Sequence, residues 1–507
     1  MTASLSLVCL LPLLGAIATV LLPTSNPRTI RLFSTGVSAL VFLAALPFLG
    51  AFDGASGRLE FEESASWIPA IGVRFHVGLD GLSLFLFLLV AFLTPLSMAA
   101  ATRSVKSRHQ EFAACFLLLE SGLLVLFAAA DVFLFYVAWE LVVVPMFLLI
   151  GIWGGRERQY ATQKFVLFTV AGSLPMLLAV VALLWLRRSA DPSATSFDFS
   201  DLAGLAVDPG TRRLLFLAFF VSFAVKVPLF PLHTWLPPAH TEAPTAGSIV
   251  LAGLLLKLGG YGFLRVSLPL FPVEAAAAAP WIAILALAGI LGSALAALVQ
   301  SDLKRLVAYS SVSHMGLAVL GVFSLNAVGV AGSIYLMLGH GLTTGALFLL
   351  VGMLHDRRHS REIADFGGLA RKMPLFSAAF VFVALGSIGL PGLCGFVGEF
   401  LCLAGAFFRS KWTAAVAVAG VVLSAWYLLR ASGATLFGPI GPENEKNEAM
   451  RDVDSREVLV LAPFVAMILV LGVASKPVLA RIEPAVSVLL ETMRDGSERA
   501  ASLRSPR

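Results

Sequence analysis

The chain has 507 residues, of which 58% are hydrophobic and only 13% are charged. That composition excludes a soluble enzyme and describes a polytopic membrane protein. The formal charge of +5 does not point to nucleic acid, because the basic residues are scattered over short loops without a long basic block.

In chain order, apolar runs long enough to span a bilayer are expected at 3–22, 30–51, 79–101, 112–130, 132–153, 164–186, 212–242, 246–267, 279–300, 305–324, 327–353, 374–408, 413–437 and 457–475, about fourteen in all. The first, Leu5–Leu22, has no basic segment before it and no small-residue cleavage site, so it reads as a spanning helix rather than a signal. Two connections, Phe52–Val77 and Arg187–Thr211, read as longer loops, and the stretch after Lys476 reads as a polar tail. The four cysteines (Cys9, Cys115, Cys394, Cys402) form no CxxC pair and sit in apolar runs, which suits buried thiols and no metal site. No dinucleotide fingerprint or Walker loop is present.

One set of loops and helix ends holds 19 Lys and Arg, including Lys304, and the opposite set holds 9, including Arg265. That asymmetry orients both termini to the outer side. Apart from the tail, the residues left over are Lys226 and Lys257, which lie in mid-span. An ionisable group at that depth costs about 2.5–3.5 kcal/mol on insertion scales, so each is a candidate functional residue.

Two spans are interrupted. Pro228, Pro231, Pro237, Pro238 and Pro244 break the 212–242 run and its exit, and Pro391 with its glycines breaks Ser387–Phe400. Broken helices survive in a membrane only where protein or water satisfies the freed backbone groups. Two breaks at matching positions predict inverted repeats. The expected fold is therefore all-α, with two inverted five-helix repeats, each holding a broken helix. The expected divisions are 1–111 for three N-terminal spans, 112–267 and 279–437 for the repeats, and 438–507 for a loop, the last span and the tail.

Charged and titratable residues inside the spans define a proton path. Glu140 is alone in VFLFYVAWELVVVPMFLLIG, and Lys226 is the expected partner. Pairing favours the charged form of each and separation frees the lysine proton, so a pair that opens and closes is a proton switch; the alternative is a fixed structural ion pair. Lys257 lies far from either end of its span, beside glycines that allow close helix approach. His314 and His340 are flanked by Ser310, Ser311, Ser313, Thr343 and Thr344, and either shuttle protons or cap carbonyls. His233 and His240 flank the first break and either join the path or satisfy freed backbone groups. Glu399, after the second break, is placed as the terminal acid. Glu120 either tunes Glu140 or faces a polar cavity. Asp131 and Asp302, at helix ends, read as caps.

WE at 139–140, the run from Lys226 to Arg265, SDLKRLVAYSSVSHMG at 301–316 and GLPGLCGFVGEF at 389–400 closely resemble the subunit M family of bacterial NADH–quinone oxidoreductase (respiratory complex I), whose mitochondrial counterpart is NADH dehydrogenase subunit 4. The resemblance runs from about residue 80 to 475. It implies a fourteen-helix antiporter-like fold in the bacterial inner membrane and a proton-translocating subunit of a translocase. It also implies Glu140 and Lys226 as a charge pair, Lys257 as the central carrier, Glu399 as the acid of the second broken helix, and His314 and His340 on the axis between. No cofactor is implied for this chain; NAD, FMN, iron–sulfur clusters and quinone are expected in partner subunits, with other antiporter-like subunits on either side. Related antiporter-like subunits, including those of multisubunit sodium/proton antiporters, usually carry lysine where this chain has Glu399. The largest such subunit also has a long lateral helix, for which the short tail leaves no room. A multisubunit cation/proton antiporter and related hydrogenase and photosynthetic complexes remain alternatives.

Overall fold

The computed structural model describes residues 3–24, 26–101, 105–191, 196–438, 447 and 449–502. Arg103 and Lys446, counted in the loop charges, and most of the loop that opens the 438–507 division lie outside them.

The first two helices are α1 (Leu5–Leu21) and α2 (Pro27–Ala51). An antiparallel hairpin follows, β1 (Glu60–Ile68) and β2 (Val73–Leu79), with Ser64 opposite His76. Then come α3 (Leu84–Ala100), α4 (His109–Ala128), α5 (Val132–Trp153), α6 (Arg158–Ala190), α7 (Pro209–Lys226) and α8 (Leu236–Glu242). The central group is α9 (Thr245–Leu270), α10 (Pro272–Leu298), α11 (Leu303–Val322) and α12 (Ala327–Arg358). The last are α13 (Pro374–Ile388), α14 (Cys394–Arg409), α15 (Lys411–Phe437), α16 (Ser455–Val473) and α17 (Lys476–Ser502).

Among the described residues, nine helices are long and apolar enough to cross a membrane, and three more apolar helices are shorter. Their burial is graded. Within the most apolar window, α12 is 100% buried and α9 94%, against 28% for α2. The polar-flecked helices are thus the inner ones, and the uniformly apolar ones turn side chains outward, as a bilayer requires.

Two expectations are corrected. The fold is not wholly helical, because the Phe52–Val77 loop contains the hairpin. Its second strand buries Val73, Val77 and Leu79, and a period-two pattern there is the strand signal. The first strand, EFEESASWI, carries no such pattern. The tail is also not merely polar: from Lys476 it forms the amphipathic α17, which buries Ile482, Ala485, Val486 and Leu489. That helix lies on the hairpin side, where Gly57 and Gly81 lie beside its backbone.

Both breaks are present. Between α7 and α8 the freed Val225 carbonyl accepts from the Trp235 indole at 2.9 Å. Between α13 and α14, Gly389 has φ +83°, and a Cβ there would collide with the Glu399 carboxylate. That close approach reserves the position for glycine. Asp131 caps α5 by accepting from the Phe133 and Leu134 amides, and Asp302 caps α11 by accepting from Arg305, as read from the sequence.

Candidate functional site

Lys257 is fully buried on α9. The helix is wound as π turns at Leu251–Leu255 and Phe263–Ser267, on either side of the α-helical segment that carries the lysine. Such turns displace the regular ladder and recur at functional sites. The Lys257 ammonium donates to the Ala252 carbonyl at 2.6 Å and meets His340 Nδ1 at 2.7 Å. On the same helix, a Cβ at Gly259 would strike the Phe223 carbonyl, so α9 lies directly on the end of α7 that carries Lys226.

From His340 the line continues. Its ring centroid is 5.7 Å from that of His314, and His314 Nδ1 lies 3.2 Å from Glu399 Oε1. The Nε2 atoms of both histidines have no hydrogen-bond partner. Four predicted residues from four helices, α9, α12, α11 and α14, therefore form one buried series. Of the five hydroxyls expected nearby, Ser310, Ser311, Ser313 and Thr343 are spent on backbone carbonyls, and only the Thr344 hydroxyl is unbonded.

The other half is arranged differently. Glu140 and Lys226 make no hydrogen bond or ion pair with each other. Lys226 is buried, and its Nζ lies over the Trp139 ring, 5.3 Å from the centroid, without a hydrogen-bond acceptor. Glu140 Oε1 is likewise unbonded. The expected direct pair is not formed in this conformation, in which the Lys226 ammonium rests on the indole face.

The histidines at the first break do not serve the backbone, since Trp235 does. His240 is fully buried and stacks on Phe348 with centroids 4.6 Å apart, and neither of its ring nitrogens is bonded. His233 stacks on Phe230 at 5.5 Å and is half-buried. Glu120 does not meet Glu140; it accepts from Ser38 at 2.8 Å, and its second oxygen is unbonded.

Counting charges by loop hid several residues. Lys304 is buried, donates to the Ala243 carbonyl at the break, and lines a cavity of about 620 Å3 with Glu242, His355 and Arg361. Arg265 pairs with buried Asp80 at 2.7 Å. Their position near helix ends made them look like topology markers; only a buried acid or freed carbonyl opposite them could have said otherwise. Tyr427, with an unbonded hydroxyl, lines a cavity of about 360 Å3.

The chain is similar to known proteins over nearly its whole length. A family model described as NADH:quinone oxidoreductase/Mrp antiporter, TM, matches residues 129–424. NADH-quinone oxidoreductase subunit M of Rhodobacter capsulatus is 45% identical over 96% of both chains. NADH-ubiquinone oxidoreductase chain 4 of Marchantia polymorpha is 42% identical over 96% of this chain and 97% of that one. A chain of respiratory complex I from Thermus thermophilus with bound NADH superposes with a TM-score of 0.87 at 35% identity, over 96% of this chain and 99% of that one. A chain of the Mrp complex from Dietzia sp. DQ12-45-1b shares the fold, with a TM-score of 0.84 at 20% identity over 96% and 99%. The chain therefore belongs to the NADH:quinone oxidoreductase/Mrp antiporter family of transmembrane proteins.

Proposed function

We propose that this chain is a proton-translocating membrane subunit of an NADH–quinone oxidoreductase. The observation that carries the reading is the buried series Lys257–His340–His314–Glu399. A membrane scaffold gains nothing from four ionisable groups gathered in one buried series at bilayer depth. NAD, FMN, iron–sulfur clusters and quinone reside in partner subunits, and other antiporter-like subunits flank this one.

In this reading Glu140 and Lys226 form the switch and Lys257 is the central carrier. A charge arriving at Glu140 draws the Lys226 ammonium toward it. That movement alters the field at Lys257 and shifts its proton toward His340. The proton passes from His340 to His314 between their two unbonded Nε2 atoms, and His314 delivers it to Glu399. Each step moves one proton between named groups, and the cycle closes when Glu399 releases its proton, Lys257 takes up another and both histidines return to their starting tautomers. His240, buried on Phe348 with both ring nitrogens unbonded, is an auxiliary carrier; His233 and Glu120 stand off the line.

The same reading assigns fourteen crossings, two of them the broken pairs α7–α8 and α13–α14, and inverted repeats over 112–267 and 279–437. Both termini lie on the outer side. The contacts of Ser4, Leu5 and Ser6 with Glu63, and of α17 with the hairpin side, support a common side for the two ends.

The test is mild detergent extraction of native membranes, purification through a tag on this chain, and spectra of what accompanies it. Flavin and iron–sulfur signals with NADH-oxidising activity are expected. A colourless assembly of small membrane subunits would overturn the reading in favour of a cation/proton antiporter.

A further inference from the structure

Helix α5 starts beside the hairpin, where the Ala130 amide donates to the His76 carbonyl, and ends with Trp153 at the rim of the 620 Å3 cavity. The cavity therefore lies at the opposite face of the molecule, at the exit of the first break. Its wall carries five cationic side chains, Lys106, Arg156, Lys304, Arg357 and Arg361, against two carboxylates, Glu242 and Asp356. Two of the cations are already matched. Arg357 makes a two-point contact with Glu457 at 2.8 and 2.6 Å, and Arg361 pairs with Asp302 at 3.1 Å.

The other three are not. Buried Lys304 meets the Ala243 carbonyl and no acid, so two of its three ammonium protons are left for the cavity. Lys106 and Arg156 are exposed and make no hydrogen bond or ion pair with the described residues. Neither wall carboxylate is idle: Glu242 accepts from the Glu157 amide at 2.9 Å, and Asp356 is engaged as well. The frame is fixed. The Trp153 indole donates to the Ser107 carbonyl at 3.0 Å and ties together the loops that carry Lys106 and Arg156. The Gly155 amide donates to the Glu242 carbonyl at 2.8 Å and ties the second loop to the break. Cations held in place around a cavity repel one another and gain from an anion set among them. Beyond the Trp153 rim, Val144 and Phe147 on α5 and Tyr160 on α6 turn outward, 53%, 41% and 54% exposed. An indole at the rim with outward apolar side chains beyond it marks the level of lipid headgroups.

We propose that this cavity binds a phosphate-bearing anion, with Lys304 on its inner wall and Lys106 and Arg156 at its rim. Its position favours the headgroup phosphate of an acidic phospholipid over phosphate from solution. The phosphate oxygens accept from the unspent Lys304 protons and from the Arg156 guanidinium fork. Arg357 and Arg361 stay with their own acids. The site does not depend on what Lys257 carries, so it stands apart from the proton-translocating reading.

The experiment uses the whole complex in phosphatidylcholine nanodiscs containing a trace of phosphatidylglycerol with a photoreactive group near its headgroup. After irradiation, mass spectrometry of the digested chain locates the label. Labelling within 144–160 is expected, and the double variant Lys106→Gln/Arg156→Gln should reduce it about tenfold or more. Both side chains are exposed and unpartnered, so the variant keeps its fold. Arg371→Gln/Lys372→Gln removes the same charge from exposed positions in the loop after α12, outside the cavity, and should leave the labelling unchanged. A second arm measures binding of radiolabelled inorganic phosphate to the same complexes. Lipid labelling without phosphate binding identifies the lipid as the source. Phosphate binding that the Lys106→Gln/Arg156→Gln change abolishes, without lipid labelling, identifies solution phosphate. Neither signal, or signals that both double variants lower equally, would overturn the site, the latter leaving only a general surface attraction.

Discussion

The two halves of the buried axis hold their charges in opposite ways. Around Lys257 every charged group touches another: ammonium to imidazole at 2.7 Å, imidazole to carboxylate at 3.2 Å. Around Lys226 nothing touches. The ammonium rests on an aromatic face and the acid beside it keeps an unbonded oxygen. A buried charge in contact is already compensated and holds its place. A buried charge facing only a ring quadrupole gains about 0.5–2 kcal/mol from it, less than a hydrogen-bonded ion partner supplies in the same setting. The first arrangement suits conduction along fixed neighbours, and the second suits a group that must move.

That contrast can be broken most directly at its conducting end. Lys257→Met removes the shared proton and is expected to cut NADH-driven pumping at least about 100-fold, with the complex still assembled. An effect no larger than that of Lys226→Ala would erase the distinction between conductor and switch.

The switch is sharpened by a double-mutant cycle. Glu140→Gln alone is expected to reduce pumping and coupled electron transfer with assembly intact. Combined with Lys226→Ala it should be less than additive, with an interaction of about 1 kcal/mol in pumping rate. Full additivity would show that the two groups do not communicate across the indole. A smaller effect is expected from Trp139→Leu, which removes the face under Lys226. The cation–π part of its cost is about 1 kcal/mol, read as the amount by which the loss of thermal midpoint is smaller in a Lys226→Met background, where only the packing loss remains.

The mildest test lies outside the membrane, where a third mode occurs: charges paired and partly wet. The Asp198 hydrogen bond, with the Asp198 and Glu62 charges, raises the His76 pKa above the ordinary 6.5, against the effect of burial. A group raised on folding stabilises the folded form below its unfolded value, and that stabilisation is lost as pH rises through the folded value. Burial works to raise the Asp198 carboxyl, yet the His76 hydrogen bond and the His76 and Arg74 charges hold it below the usual range. Its contribution is therefore present above its unfolded value and lost in acid. The opening free energy of the β2 amides, obtained from exchange rates corrected for their base-catalysed intrinsic rates, should be largest in weak acid and fall toward alkaline pH, where His76 is neutral. A corrected profile that is flat from pH 6 to 9 would show that His76 stays in one state.

Much of this organisation was legible in the sequence. Apolar length marked the spans, prolines marked both breaks, and mid-span charge marked Lys226, Lys257 and Glu399. Contacts between helices were not legible, because nothing in the sequence says that the Trp139 face lies under Lys226 or that Glu120 turns to Ser38 instead of Glu140. Charges near helix ends were misread for the same reason. Lys304 resembles a loop lysine until the Ala243 carbonyl, 61 residues earlier, is seen beneath it. The hairpin escaped because only one of its strands alternates, and α17 because its apolar positions are spaced as a stripe in a charged segment, which an average over the window conceals.

The burial of α12 has a practical consequence for isotope labelling. Every residue in its most apolar window is enclosed by this one chain, so neither lipid nor bulk solvent reaches its amides. Deuterium arriving at Gly339–Thr344 must therefore travel through the interior, beside His340. Comparing uptake there in resting and turning-over complex gives a clock for the hydration of the axis, one that needs no mutation and is blind to the lipid-facing surface.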